Sequence, residues 1–169
     1  MKIEIIDNFL PDYQFKSITK EILSDYFPWY FNDGVIKTGD GHYQFTHTVY
    51  DIRQNGVTTN NFSLYYPIIE KLGVTELDRI KLNLNPKKLF HQHSGWHTDQ
   101  RDPRQKLPFH KKTAVFYINT NNGYTKFKKS GKIVKSVANR IVIFDSNLHH
   151  TGYTCTNNLR RVIMNCNYS

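Results

Sequence analysis

The chain has 169 residues and a formal net charge of +9 with its histidines neutral. That length suits one domain that buries about two thirds of its unfolded surface, so it needs no staples to fold. No run approaches the roughly 20 apolar residues of a spanning helix, which excludes a helical membrane protein. The two cysteines, Cys155 and Cys166, fit no zinc spacing and read as reduced thilos of a cytoplasmic protein. The basic balance favours anionic partners by long-range steering, a bias that a merely solvated surface also produces.

The start of the chain alternates polar and apolar residues and reads as a strand, not as a signal peptide. After Pro11 and Asp12, the spacing of Phe15, Ile18, Ile22 and Leu23 predicts a helix, broken by Pro28. Residues 44–52 alternate as a strand. Asn60 is a candidate cap for a second helix carrying Phe62, Tyr65, Ile69 and Leu72, which either kinks at Pro67 or begins near it. From Leu77 onward the segments become short and rich in β-branched and aromatic residues. Strands are expected near 80–84, 88–93, 113–119, 125–127, 132–134, 140–144, 150–153 and 161–167. Helices followed by about eight strands predict an all-β core with N-terminal helices packed on one sheet: a double-stranded β-helix, a jelly roll of cupin-like type. The expected layout is one domain over 1–169, helical over about 1–75 and jelly roll over about 77–169. Residues 100–112 form the longest irregular stretch and are the expected seat of substrate recognition.

The chemistry concentrates in His97-Thr98-Asp99, with His150 far downstream and Arg161 beyond it. Residues i and i+2 of an extended segment face the same side, so His97 and Asp99 reach one metal together. Adding His150 gives two histidines and a carboxylate, the facial set that holds non-haem Fe(II) with open positions. Arg161, on the expected last strand, offers a guanidinium that clamps a carboxylate.

These residues, in this order, resemble the Fe(II)- and 2-oxoglutarate-dependent oxygenases, in particular their prolyl 4-hydroxylase-like branch. The resemblance covers nearly the whole chain. Residues 113–119 (TAVFYIN) are similar to the family's apolar strand ending in Tyr-Leu-Asn, and 123–127 (GYTKF) to its Gly-Gly-x-Thr-x-Phe turn and strand. Residues 138–152 (ANRIVIFDSNLHHTG) are similar to the block that carries the distal histidine, and 161–167 (RVIMNCN) to the closing strand. Residues 5–11 are similar to the approach to the family's first helix. One departure is Ala138-Asn139, where the family usually has glycine before the strand leading to the distal histidine. His149 and His150 are adjacent, as are Arg160 and Arg161, and strand neighbours face opposite sides. The family pattern selects His150, followed by Thr151-Gly152, and Arg161, spaced from Asn165 and Asn167.

The resemblance implies a hydroxylase that consumes O2 and 2-oxoglutarate and releases succinate and CO2, with ascorbate as a candidate reductant. It implies Fe(II) on His97, Asp99 and His150, with the distal carboxylate of 2-oxoglutarate on Arg161. Tyr117 either adds a hydroxyl to that carboxylate or is a core aromatic. Thr125 is a further candidate hydroxyl. Asn83 and Asn85 contribute if their face of the strand looks inward. Asp99 argues against halogenation, which needs a small residue there. The expected substrate is a small molecule or peptide, anionic in view of the charge. Two alternatives stand beside this reading. One is a cupin-like metal-binding module without oxygenase activity, using His91 and His93 with His97 and His150. The other is a nucleic-acid demethylase, which needs a basic groove and a base-flipping pocket. Trp96 is expected over the site or at its entrance.

Overall fold

A computed structural model describes residues 3–93, 95–99 and 111–169. Most of the expected recognition stretch, residues 100–110, lies outside the described residues. The first part of the chain forms β1 (Ile3–Ile6), α1 (Asp12–Ile22), β2 (Tyr30–Asn32), β3 (Gln44–Asp51), β4 (Gly56–Val57) and α2 (Tyr66–Leu72). The second part forms β5 (Leu77–Pro86), β6 (Lys112–Tyr117), β7 (Tyr124–Phe127), β8 (Ile133–Lys135), β9 (Arg140–Asp145), β10 (His150–Tyr153) and β11 (Arg160–Tyr168).

The helices obey their local signals. α1 follows Pro11 and carries Asp12 in its first turn and Lys20 in its last, both favourable to the helix dipole. It ends at Ile22, well before Pro28. A 3-10 turn over Phe62–Tyr65 precedes α2, and Pro67 sits at the start of that helix, where no intrahelical N–H is lost. The helix therefore begins near Pro67 and is not capped by Asn60. Gly73 closes it at φ 64°, the left-handed turn that glycine adopts without strain.

Two antiparallel sheets face each other. The larger has eight strands in the order β1-β9-β6-β11-β5-β3-β2, with β4 beside β3; the smaller is β10-β7-β8. This is the double-stranded β-helix expected from the sequence. The first 75 residues are less helical than expected, because β1 extends one edge of the large sheet and β2–β4 extend the other. Residues 88–93 do not form the expected strand. Only His93 makes a bridge, to Tyr153, while the Lys88 N–H donates to the Cys155 carbonyl.

Strand alternation separates a dry face from a chemical one. Ile80, Leu82, Phe116, Val162 and Met164 pack outward against Ile18 and Ile22 of α1 and Ile68 of α2. The opposite faces of the same strands look into the barrel. Val115, Tyr117, Val142, Phe144 and Ile163 close its inner core with Phe127 and Val134 of the small sheet. Asn83 and Asn85 belong to this inward face, and so does Arg161.

Asn139 explains the missing glycine. Its φ is 61°, in the left-handed region that asparagine tolerates better than most residues. Its side chain accepts from the Leu10 N–H at 2.9 Å and donates to the Leu10 carbonyl at 2.8 Å. Glycine would keep the turn and lose both bonds. Asn139→Gly is expected to cost about 1–3 kcal/mol and Asn139→Ala somewhat more, since Leu10 loses two partners and alanine adds backbone strain. Chemical denaturation of both variants checks this, and a neutral Asn139→Gly would refute the bonding argument.

Candidate metal centre

Residues 95–99 run beside β10. The His97 N–H donates to the His150 carbonyl at 3.1 Å, and the His150 N–H returns the bond to His97 at 2.9 Å. The Asp99 N–H donates to the Ser146 carbonyl at 3.0 Å. This pairing sets the two imidazoles against each other, with ring centroids 4.5 Å apart, and puts Asp99 on the same side. His97 Nε2 lies 3.8 Å from Asp99 Oδ1, and His150 Nε2 lies 3.7 Å from Asp99 Oδ2. These separations are too long for hydrogen bonds. One ligand atom from each of the three residues lies within 4.8 Å of the others, the only such group among the described residues.

The donor set fits a cation. Asp99 is almost wholly buried, and its Oδ2 has no hydrogen-bond partner. A buried carboxylate oxygen left unsatisfied is costly, and a metal ion removes that cost. Burial opposes ionisation of Asp99, but His150, His97 and Arg79 outweigh it and hold the carboxyl below the usual carboxylate range. Burial, reinforced by His150, pushes His97 below the ordinary histidine value, towards the neutral form that a ligand must present. Nδ1 of His150 is 3.0 Å from the Leu148 carbonyl. Donation there fixes the proton on Nδ1 and leaves the Nε2 lone pair facing Asp99. His149 is exposed and belongs neither to the cavity wall nor to the ligand group. His149→Ala is expected to keep most of the metal affinity, read by isothermal titration with Mn(II); a loss matching that of His150→Ala would reverse the assignment.

Arg161 is 1 % exposed, although it carries a full charge. Its Nε donates to Ser136 Oγ at 2.9 Å and one Nη to Thr125 Oγ1 at 3.2 Å. The Tyr117 hydroxyl also donates to Thr125 Oγ1, at 2.8 Å. Thr125 thus accepts twice, which leaves its own O–H to donate into the cavity it lines. Burial lowers the Arg161 pKa, and no carboxylate pairs with it among the described residues. Two glycines make room for it. A Cβ on Gly123 would come within 2.6 Å of Arg161 Cδ, and one on Gly152 within 3.4 Å of its Nη1. Arg160 turns the other way and donates to the Leu23 carbonyl at 3.1 Å.

One cavity of about 190 Å³ joins these groups. His97, Asp99, His150, Arg161, Thr125, Asn83 and Asn85 all line it. Tyr117 is not on its wall; it supports Thr125 from behind, with its ring 5.7 Å from the guanidinium carbon. His93 reaches the wall, but neither it nor His91 joins the ligand group. His91 Nδ1 lies 2.6 Å from the Thr154 carbonyl. Trp96 packs beside His93, with ring centroids 6.2 Å apart, and does not line the cavity. Among the lining residues given no role by sequence reasoning are Arg79 and Lys81, on the inward face of β5. The signal was there, because they share parity with Asn83 and Asn85.

No family model matches the chain, and no curated protein matches it. Solved structures do. The viral collagen prolyl hydroxylase of Paramecium Bursaria Chlorella virus-1, in its 2OG complex, superposes with a TM-score of 0.66 at 15 % identity, covering 99 % of this chain and 95 % of that one. A Pseudomonas putida prolyl-4-hydroxylase gives 0.63 at 16 % identity, covering 98 % and 91 %. A Trichoplax adhaerens prolyl hydroxylase, in complex with a hypoxia inducible factor peptide fragment, gives 0.68 at 12 % identity, covering 98 % and 83 %. The chain has the double-stranded β-helix fold of prolyl hydroxylases and other 2OG-Fe(II) oxygenases.

Proposed function

We propose that the protein is an Fe(II)- and 2-oxoglutarate-dependent dioxygenase that hydroxylates its substrate, with release of succinate and CO2. The observation that carries this reading is a single cavity holding both the His97–Asp99–His150 group and a buried arginine without a carboxylate partner among the described residues. A cupin-like metal module would use the first and leave Arg161 without purpose.

A ferrous ion on His97, Asp99 and His150 would supply the oxidising chemistry, with O2 and 2-oxoglutarate as co-reactants. The chain's own part is placement. Asp99 brings the negative charge that two neutral imidazoles lack, and Leu148 holds His150 in the tautomer that exposes Nε2. Arg161 and Thr125 orient the distal carboxylate of 2-oxoglutarate, with Tyr117 and Ser136 fixing both donors. The packed inner core below excludes water from this end of the barrel.

The substrate is a small molecule or a peptide. The peptide complex of the Trichoplax adhaerens protein supports that range, and the basic cavity wall favours an anionic member of it. No helix among the described residues is long and apolar enough to cross a membrane. Both cysteines are buried free thiols, in keeping with a cytoplasmic setting. The test is consumption of 2-oxoglutarate by the purified protein with Fe(II) and O2, followed as succinate. Succinate formation that a chelator stops is the expected result. Absence of both turnover and anaerobic 2-oxoglutarate binding would refute the proposal.

A further inference from the structure

The inward face of β5 carries more positive charge than the proposed chemistry uses. β5 and β11 pair so that Arg161 opposes Asn85, Asn165 opposes Lys81 and Asn167 opposes Arg79. Lys81 lies four residues along β5 from Asn85, about 13 Å at the rise of an antiparallel strand, so its backbone position is well separated from the Arg161 clamp. Arg79 and Lys81 both line the cavity.

Neither cation is held in an ion pair among the described residues, although Asp51 acts on both at longer range and Asp99 acts on Arg79. The buried Asp51 is taken by Arg53, whose Nε donates to its Oδ1 at 2.8 Å and whose Nη2 donates to its Oδ2 at 2.5 Å. Arg79 donates through Nε to the Asn167 amide oxygen at 3.2 Å and has no ion pair among the described residues. Lys81 has neither a hydrogen bond nor an ion pair among them. Burial, with Arg79 and Arg53 adding to it, pushes the Lys81 amine down to about 8. Opposite Lys81, the buried Oδ1 of Asn165 lacks a partner, and that amide also lines the cavity. Its oxygen suits a lysine donor, while its NH2 suits an anion held by that lysine.

Charge balance indicates what is missing. Asp99 and the two carboxylates of 2-oxoglutarate are matched by a divalent cation together with Arg161. Arg79 and Lys81 remain in surplus, half-buried on the cavity wall, where unbalanced charge is costly.

We infer that Lys81, Arg79 and Asn165 form a second anion subsite, which holds an oxyanion of the substrate, a carboxylate or a phosphate, beside the metal ligands. This rests on the oxygenase reading, because the surplus is counted against its metal and cosubstrate. It narrows the substrate to molecules or side chains that bear such a group near the carbon to be hydroxylated.

The test is anaerobic calorimetry on the full chain loaded with Mn(II) and 2-oxoglutarate. The probes are L-aspartate, L-glutamate, glycerol 3-phosphate and inorganic phosphate, which separate carboxylate from phosphate recognition. At least one probe is expected to bind. Lys81→Met should weaken it by roughly tenfold or more, the loss of a charge-assisted hydrogen bond, while 2-oxoglutarate affinity changes less than about threefold. Arg161→Met should show the reverse pattern, and Lys81→Arg should retain probe binding, which separates loss of charge from loss of fold. The inference is overturned if no probe binds the wild type, or if binding survives both Lys81→Met and Arg79→Met. It is also overturned if Lys81→Met costs 2-oxoglutarate as much affinity as Arg161→Met does. If the wild type binds no 2-oxoglutarate, the oxygenase reading falls, and probe binding to the unloaded wild type and Lys81→Met proteins decides the subsite.

Discussion

Asp99→Ala and His150→Ala are each expected to abolish Fe(II)-dependent succinate formation, with losses beyond about a hundredfold, the upper end of what outer partners of metal ligands cost. Each change removes one of the three atoms that converge on a single point. Loss of metal binding must be told apart from loss of stability, because at neutral pH Asp99→Ala also removes a carboxylate that His150, His97 and Arg79 hold ionised against the cost of burial. Thermal unfolding with and without Mn(II) makes the distinction. A metal that binds only the folded state raises the midpoint in the wild type and not in either variant. The pH dependence carries a defined sign. Protons compete with the metal for His97, whose pKa is lowered mainly by burial, so affinity should rise with pH, and the part of that rise due to His97 should fall below the ordinary histidine value. A metal-induced shift in Asp99→Ala equal to that of the wild type would remove Asp99 from the centre.

The candidate ligand set was legible because it needs little tertiary knowledge. His97 and Asp99 share a face through the two-residue period of extended chain, and the pattern around His150 and Arg161 chose between adjacent candidates. The structure separates both pairs: His150 and Arg161 line the cavity, while His149 is exposed just before β10 and Arg160 turns to the Leu23 carbonyl. Legibility failed where strand identity depends on partners. Residues 88–93 have β-forming composition, but their neighbours are the turn around Cys155 and the end of β10, so only a bridge forms. The edge strands β1 and β2 were hard to place for the same reason, since each is short and defined by the strand it joins. Tyr117 was ambiguous in sequence, and the structure places it as a buried aromatic off the cavity wall whose hydroxyl donates to Thr125. Arg79 and Lys81 were passed over because alternation of charged and apolar residues on a strand usually marks a solvated face. Only the large sheet's closure against the small one turns that face into a cavity wall.

Arg161→Met is expected to cost about 2–4 kcal/mol of 2-oxoglutarate affinity, roughly a thirtyfold to thousandfold rise in Kd, because a buried carboxylate loses a charge-assisted pair of donors. The proposed contact would be strong for reasons visible around it. Ser136 and Thr125 hold the guanidinium, Tyr117 lies beside it, and Gly123 and Gly152 leave room for it. Little side-chain entropy remains to be lost on binding. The unliganded protein should not suffer from Arg161→Met, since a buried charge without an anionic partner among the described residues is replaced by an apolar side chain of similar reach. Gly123→Ala tests the same clamp from the other side. Its Cβ would lie 2.6 Å from Arg161 Cδ and 2.8 Å from the Tyr153 carbonyl, so the arginine must move, and 2-oxoglutarate affinity should fall with the side chain still present. Anaerobic titration of 2-oxoglutarate into the Mn(II)-loaded variants reads both effects. Unchanged affinity in Arg161→Met, together with loss in Arg160→Met, would assign the clamp to the wrong face of β11.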